Sequence, residues 1–128
     1  LMLGSNDFQS MHSYNAWHSA QGIGALVSCI RHAPVEPSMV IPQILLVVPP
    51  LIKEPKGLIA PKFAFAERRC IGLSDAYREK AIELNCAFFD SNTIISPSQV
   101  DGIHLDIEQH LTLGLGLANR VGELLPKI

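Results

Sequence analysis

Residues 39–48 form a nearly unbroken apolar run, interrupted only by Pro42 and Gln43, that stops at Pro49-Pro50. A strand with one wet face alternates apolar and polar side chains. A run that is apolar at both parities must be covered on both faces, as in parallel sheets flanked by crossover helices. The run therefore predicts a central strand over Met39–Val48. Two shorter apolar runs match it, Leu1-Met2-Leu3 ending at Gly4 and Cys86–Phe89 ending at Asp90.

Helical periodicity fills the intervals. Ala16, Ala20, Ile23, Val27 and Ile30 recur at steps of four and three, which puts them on one face of a helix. Ser13 is a fair N-cap, and Pro34 and Pro37 stop that helix after about His32. Phe63, Ala66, Cys70, Leu73, Tyr77, Ala81 and Leu84 form a second stripe. It predicts one long helix, or two broken at Gly72 with Ser74 as a new cap. Arg68, Arg69, Arg78, Glu79, Lys80 and Glu83 mostly fall off the stripe and are expected on a solvated face. Ile107, Leu111, Gly114, Ala118, Val121 and Leu125 predict the buried face of a final helix, with Gly114 and Gly116 allowing close approach to a sheet. Asp106 and Gln109 are placed for a capping box at its start. Strand and helix alternate, so the fold class is α/β with a parallel sheet and right-handed crossovers.

Chemistry concentrates in Asp101-Gly102-Ile103-His104. Histidine takes and returns a proton near neutral pH, and does so best when a carboxylate fixes its tautomer. Gly102 permits the tight turn that brings Asp101 back onto the ring. As a spacing alone, Asp-x-x-His reads first as a capped turn with a partly buried His. A second polar group follows the first strand: Asn6 carries an amide able to donate to an oxyanion. The plain alternative is that Asn6 and Asp7 only turn the chain.

Taken in order, Gly4-x-Asn6-Asp7 after a strand and Asp101-x-x-His104 before the last helix resemble the third and fifth blocks of the SGNH, or GDSL-type, hydrolases. Val47-Val48-Pro49-Pro50 and Cys86–Asp90 resemble that family's fourth and fifth strands, and the chain is most similar to its arylesterase and acyltransferase-like members. The resemblance implies a flavodoxin-like three-layer sandwich with a parallel sheet, of which residues 1–128 would be the C-terminal part of one domain, holding the last three strands and their helices. It implies a serine-dependent hydrolase of small acyl or aryl esters, or an acyl transferase to alcohols, needing no cofactor. His104 would be the base, Asp101 its orienting acid and Asn6 an oxyanion donor, with Gly4, Ser5 and Asp7 in support. The family's opening Gly-Asp-Ser block, which bears the nucleophile, does not occur in these residues. A missing N-terminal segment of the same enzyme is thus an expected partner, and the chain alone is expected to be inactive. The resemblance also places the absent first strand beside Leu1–Leu3, leaving a bare edge, so the isolated chain is not expected to be a stable monomer. The alternative is a catalytically incomplete or degenerate relative serving as a binding or assembly module. The loop over residues 51–62 should border the acyl pocket and, through Leu51, Ile52, Leu58 and Ile59, contribute to a homo-oligomer.

Composition excludes several classes. The chain is 48% hydrophobic and 17% charged with net charge −2, and shows no basic cluster for nucleic acid. The longest apolar stretch is too short to span a bilayer. Cys29, Cys70 and Cys86 have no metal-ligand spacing and cannot all pair, and each falls within or beside an apolar pattern, which favours buried free thiols and a reducing, cytoplasmic setting. Neither His12 with His18 nor His104 with His110 is joined by a Cys or Glu at ligand spacing, so no metal site is expected.

Overall fold

A computed structural model describes residues 1–34, 36–37 and 39–126. Strand β1 (Leu45–Val48) and strand β2 (Ala87–Asp90) pair in parallel, with Leu45 opposite Ala87 and Val48 opposite Asp90. Leu1 continues the sheet on the other side of β1. Its amino group donates to the Leu45 carbonyl at 2.7 Å, and its carbonyl accepts from the Val47 N–H at 2.8 Å. These are the two bonds of a parallel bridge opposite Leu46. The regular sheet thus has two strands among the described residues, not the three expected: of the Leu1–Leu3 run, Leu1 alone pairs with β1, and Met2 and Leu3 are exposed.

The central strand is shorter than the run that predicts it. Val40 is 88% exposed, and Met39 and Ile41 are also exposed. Among the described residues, 39–43 find no neighbouring strand, and Pro42 has no N–H to give one. From Leu45 onward the sheet takes over. Leu46 and Val48 point into the main core, while Leu45 and Val47 face an apolar cavity of about 450 Å³ on the other side. Period-two alternation thus sends one strand into two layers.

Helix α1 (Ala16–Arg31) buries Ala16, Ala20, Ile23 and Val27, as its spacing predicts. Its cap is Asn15 rather than Ser13. Asn15 and His18 form a reciprocal capping box, with the His ring where Glu or Gln is usual. The second stripe divides into helix α2 (Ala66–Arg69) and helix α3 (Leu73–Glu83) at Gly72, whose φ is 83°. Ala66, Cys70, Leu73, Tyr77 and Ala81 are all buried against α1 and β1, joined by Phe63 from a 3-10 turn over Gly57–Phe63. Two charged residues expected on the solvated face are not there. Lys80 is buried, and its Nζ donates to Gln21 Oε1 of α1 and to Glu83 Oε2. Arg69 is half-buried and turned toward the chain that follows Asn6.

Helix α4 (Ile107–Leu124) covers the other sheet face with a different stripe from the one expected. Ile107 is 84% exposed, and Leu111, Val121 and Leu125 are exposed as well. Leu113 is its buried residue, and Gly116 lies against Phe89 and Ile94. Gly114 meets nothing within 4 Å. Arg120 of this helix donates to the Phe88 carbonyl of β2 at 3.3 Å. Asp106 occupies the cap position without a side-chain cap, and the Gln109 side chain, expected to complete a capping box, accepts from the Ser96 N–H at 2.9 Å. In the 51–62 loop, Ile52 belongs to the core and Leu51 and Ile59 pack against it, so only Leu58 of the four apolar residues stands in solvent. No helix among the described residues is long and apolar enough to cross a membrane.

Candidate active site

Both groups singled out in the sequence sit past the carboxyl ends of the parallel strands, where open α/β sheets present their ligand crevice. Past β2, Ser91 Oγ donates to the Val48 carbonyl at 2.6 Å. Asn92 donates to the Pro49 carbonyl and accepts from the Leu51 N–H, so the ends of β1 and β2 are tied together. The chain then closes a loop over residues 98–104. The Ser98 N–H donates to the His104 carbonyl at 2.7 Å, and the Gly102 N–H to the Ser98 carbonyl at 2.8 Å. The N–H groups of Lys53 and Lys56 donate to the carbonyls of Gly102 and Asp101. Gly102 has φ 76°, and a Cβ there would strike the Glu54 carbonyl, so both backbone shape and close approach require glycine.

Within this loop Asp101 does two things at once. Its Oδ1 accepts the N–H groups of Ile103 at 2.8 Å and His104 at 2.9 Å, and its Oδ2 lies 2.5 Å from His104 Nδ1. The capped turn and the carboxylate–imidazole pair, alternatives in the sequence, coexist. Burial opposes the charge on Asp101, but the His104 ring and the two N–H groups outweigh it and hold the carboxyl below its ordinary value. A carboxylate on Nδ1 fixes the tautomer with Nε2 as the basic nitrogen. The ring is not partly buried as expected: its side chain is 66% exposed, so Nε2 is open to a reactant.

Asn6 lies in a 3-10 turn over Ser5–Phe8 that follows Gly4, whose φ is 128°. Gly4, Ser5, Asn6 and Asp7 line one cavity of about 460 Å³ together with Tyr77 and Leu26. Asn6 is exposed, and its Oδ1 accepts from Gln9 Nε2 at 2.9 Å, which leaves the Nδ2 hydrogens outward. The turn is held from a distance. Phe8 is buried in the core. Tyr77 donates its hydroxyl hydrogen to the Leu3 carbonyl at 2.7 Å and pairs with Ser19 Oγ at 2.9 Å; burial pushes its pKa to about 12. Arg69 donates to the carbonyls of Phe8, Gln9, His12 and Ala64. These holding residues escape a reading of spacing. Tyr77 gives the one usable signal, since a buried tyrosine hydroxyl needs a partner.

The structure thus brings Asp101 and His104 into contact, and gathers Gly4, Ser5, Asn6 and Asp7 around one cavity. The segment between the two groups links them. Its Lys53 and Lys56 backbone grips the His104 loop, and its Pro61 and Lys62 carbonyls accept from Ser10, just past the Asn6 turn. Of the three thiols expected to be buried, Cys70 is, Cys86 is half-buried and Cys29 is exposed; burial raises the pKa of the Cys70 thiol, which disfavours it as a nucleophile. Among the described residues no three His, Cys, Asp or Glu side chains gather as a metal site.

No protein-family model matches the chain, and no curated protein sequence matches it. Solved structures do. A carbohydrate acetylesterase family member from Sinorhizobium meliloti is 35% identical over 94% of this chain and 57% of its own, with a TM-score of 0.87. A second carbohydrate acetylesterase from that organism is 31% identical over 97% of this chain and 59% of its own, with a TM-score of 0.87. The inhibitor-bound aryl esterase of M. smegmatis is 31% identical over 97% of this chain and 59% of its own, with a TM-score of 0.88. The chain therefore spans rather more than half the length of the structures it matches. Over the part of the fold that it spans, the chain matches these carbohydrate acetylesterases and aryl esterases in backbone course and in sequence, as part of an SGNH-type hydrolase would.

Proposed function

We propose that these residues supply the general base, its orienting acid and one oxyanion donor of a serine ester hydrolase, with the nucleophilic serine contributed from outside residues 1–128. The observation that carries this reading is the 2.5 Å contact between Asp101 and His104 Nδ1, with Nε2 left open. His104 Nε2 removes the serine hydroxyl proton as the oxygen attacks the ester carbonyl. The resulting oxyanion accepts from Asn6 Nδ2. The imidazolium then protonates the leaving alkoxide as the C–O bond breaks, giving an acyl-serine. Water, or an alcohol in the transfer reaction, loses its proton to Nε2 and releases the acyl group, restoring both side chains. Gly4 shapes the entry to the turn, and Ser5 and Asp7 shape the cavity wall rather than take part in bond changes. The names of the similar structures favour acetyl and other short acyl esters. The exposed Met2 and Leu3 beside the Leu1 bridge offer an edge for the serine-bearing segment, and Leu58 with the exposed stripe of α4 offers surface for a second copy.

The test is the nucleophile-bearing protein assayed on 4-nitrophenyl acetate. His104→Ala is expected to abolish turnover. Asn6→Ala is expected to lower kcat by about 10²–10³ with little change in KM. Full activity of His104→Ala would overturn the reading.

A further inference from the structure

An asparagine presents a donor on one side of its amide and an acceptor on the other, and only one of these stabilises an oxyanion. The face Asn6 presents is set by what holds its opposite end. Its Oδ1 accepts from Gln9 Nε2 at 2.9 Å. Gln9 is itself fixed at both ends of its backbone: its N–H donates to the Asn6 carbonyl at 3.3 Å, and its carbonyl accepts from Arg69 at 3.3 Å. The same guanidinium takes the carbonyls on either side, those of Phe8 and His12. The Gln9 side chain therefore leaves an anchored Cα and reaches back over one turn to the Asn6 oxygen.

We infer that Gln9 is a positioning residue: by donating to Asn6 Oδ1 it keeps Asn6 Nδ2 turned toward the reacting ester. This rests on the proposed esterase reading and specifies how its oxyanion donor is oriented. Gln9 touches no reacting atom, and its effect passes wholly through Asn6. Replacing it by glutamate keeps the shape and reverses the hydrogen bond. A carboxylate cannot donate to Oδ1. It accepts strongly from an amide NH₂, so the Asn6 group turns over and offers oxygen to the oxyanion. Lysine keeps a donor at this position.

The experiment is a double-mutant cycle on kcat for 4-nitrophenyl acetate in the nucleophile-bearing protein, with Gln9→Glu, Asn6→Ala and the pair together. Gln9→Glu is expected to lower kcat at least about tenfold, toward the loss of about 10²–10³ from Asn6→Ala, with KM within about twofold. In the Asn6→Ala background the same change should cost under about threefold, because no amide is left to turn. Gln9→Lys should stay within about threefold of the parent. An equal loss in both backgrounds would mean that the new charge acts directly on the oxyanion, and would overturn the assignment. So would an unchanged kcat for Gln9→Glu beside a large loss for Asn6→Ala. If Asn6→Ala itself leaves kcat unchanged, the oxyanion role fails, and the role of Gln9 fails with it.

Discussion

The His104 loop closes on itself across residues 98–104 and is held from outside by main-chain bonds from Lys53 and Lys56. The Asn6 turn is held by side chains far away in sequence, with Tyr77 reaching Leu3 across 74 positions and Arg69 reaching Phe8 across 61. Loop closure within a few residues costs little chain entropy and depends on which residues stand at the turn. A turn pinned by remote side chains depends on the whole α/β core being assembled first. The proposed base therefore stands on a locally specified part, and the proposed oxyanion donor on a globally specified one. Substitutions in the first should damage chemistry and spare the fold. Substitutions supporting the second should damage the fold and the chemistry together.

Asp101→Asn should strike the chemistry of the first part and leave its shape. The Asn oxygen still accepts the N–H groups of Ile103 and His104, so the loop persists. Its NH₂ now donates to Nδ1, which moves the ring hydrogen to Nε2 and removes the base. The same exchange in a Ser-His-Asp triad costs about 10⁴ in kcat. In the nucleophile-bearing protein, steady-state kinetics should show a loss of this order, with a melting temperature within a few degrees of the parent. A melting temperature that falls with kcat would break the comparison, since the loop would then be a fold element too.

Arg69→Met should do the reverse. It leaves the carbonyls of Phe8, Gln9, His12 and Ala64 without their shared donor. Several partly buried acceptors lose partners at once, so a stability loss of about 2–4 kcal/mol is expected, read as a shifted urea midpoint at unchanged slope. Tyr77→Phe removes a single hydroxyl and leaves the Leu3 carbonyl and Ser19 Oγ unpaired. Its expected cost is smaller, about 1–3 kcal/mol. A neutral result for both would show that the core alone, through Phe8, fixes the Asn6 turn.

The same contrast explains what the sequence made legible. The Asp101–His104 pair could be read because its parts lie side by side along the chain and glycine marks the turn. Leu46 and Val48 could be read as a doubly covered strand because the pleat repeats every second residue. Arg69 could not be read, since an off-stripe arginine looks the same whether it meets water or four carbonyls. The buried face of α4 was missed for a related reason. Its apolar residues wind around more than one side, and the side that faces β2 carries Arg120 at the Phe88 carbonyl and Gly116 under Ile94 and Phe89. Periodicity reports that a helix has an apolar face, but partners in space select which face is used.

Acid titrates the Asp101 carboxylate itself, and with it the hold on the His104 loop. Asp101 has its folded pKa below the ordinary value, and an unfolded aspartate titrates near 3.9. Folding therefore favours the charged form. The stabilisation this brings is complete above about pH 4, declines as the solution is acidified past the unfolded value, and is gone below the folded one. Asp101→Asn cannot titrate there. The gap in unfolding midpoint between parent and Asp101→Asn should thus close on acidification through the carboxylate range. A gap that stays constant down to pH 2 would mean that the charged form of Asp101 is not favoured by the loop. The direction of the His104 ring would then be a property of the main-chain closure over 98–104, and the first prediction would lose its rationale while the loop geometry stood.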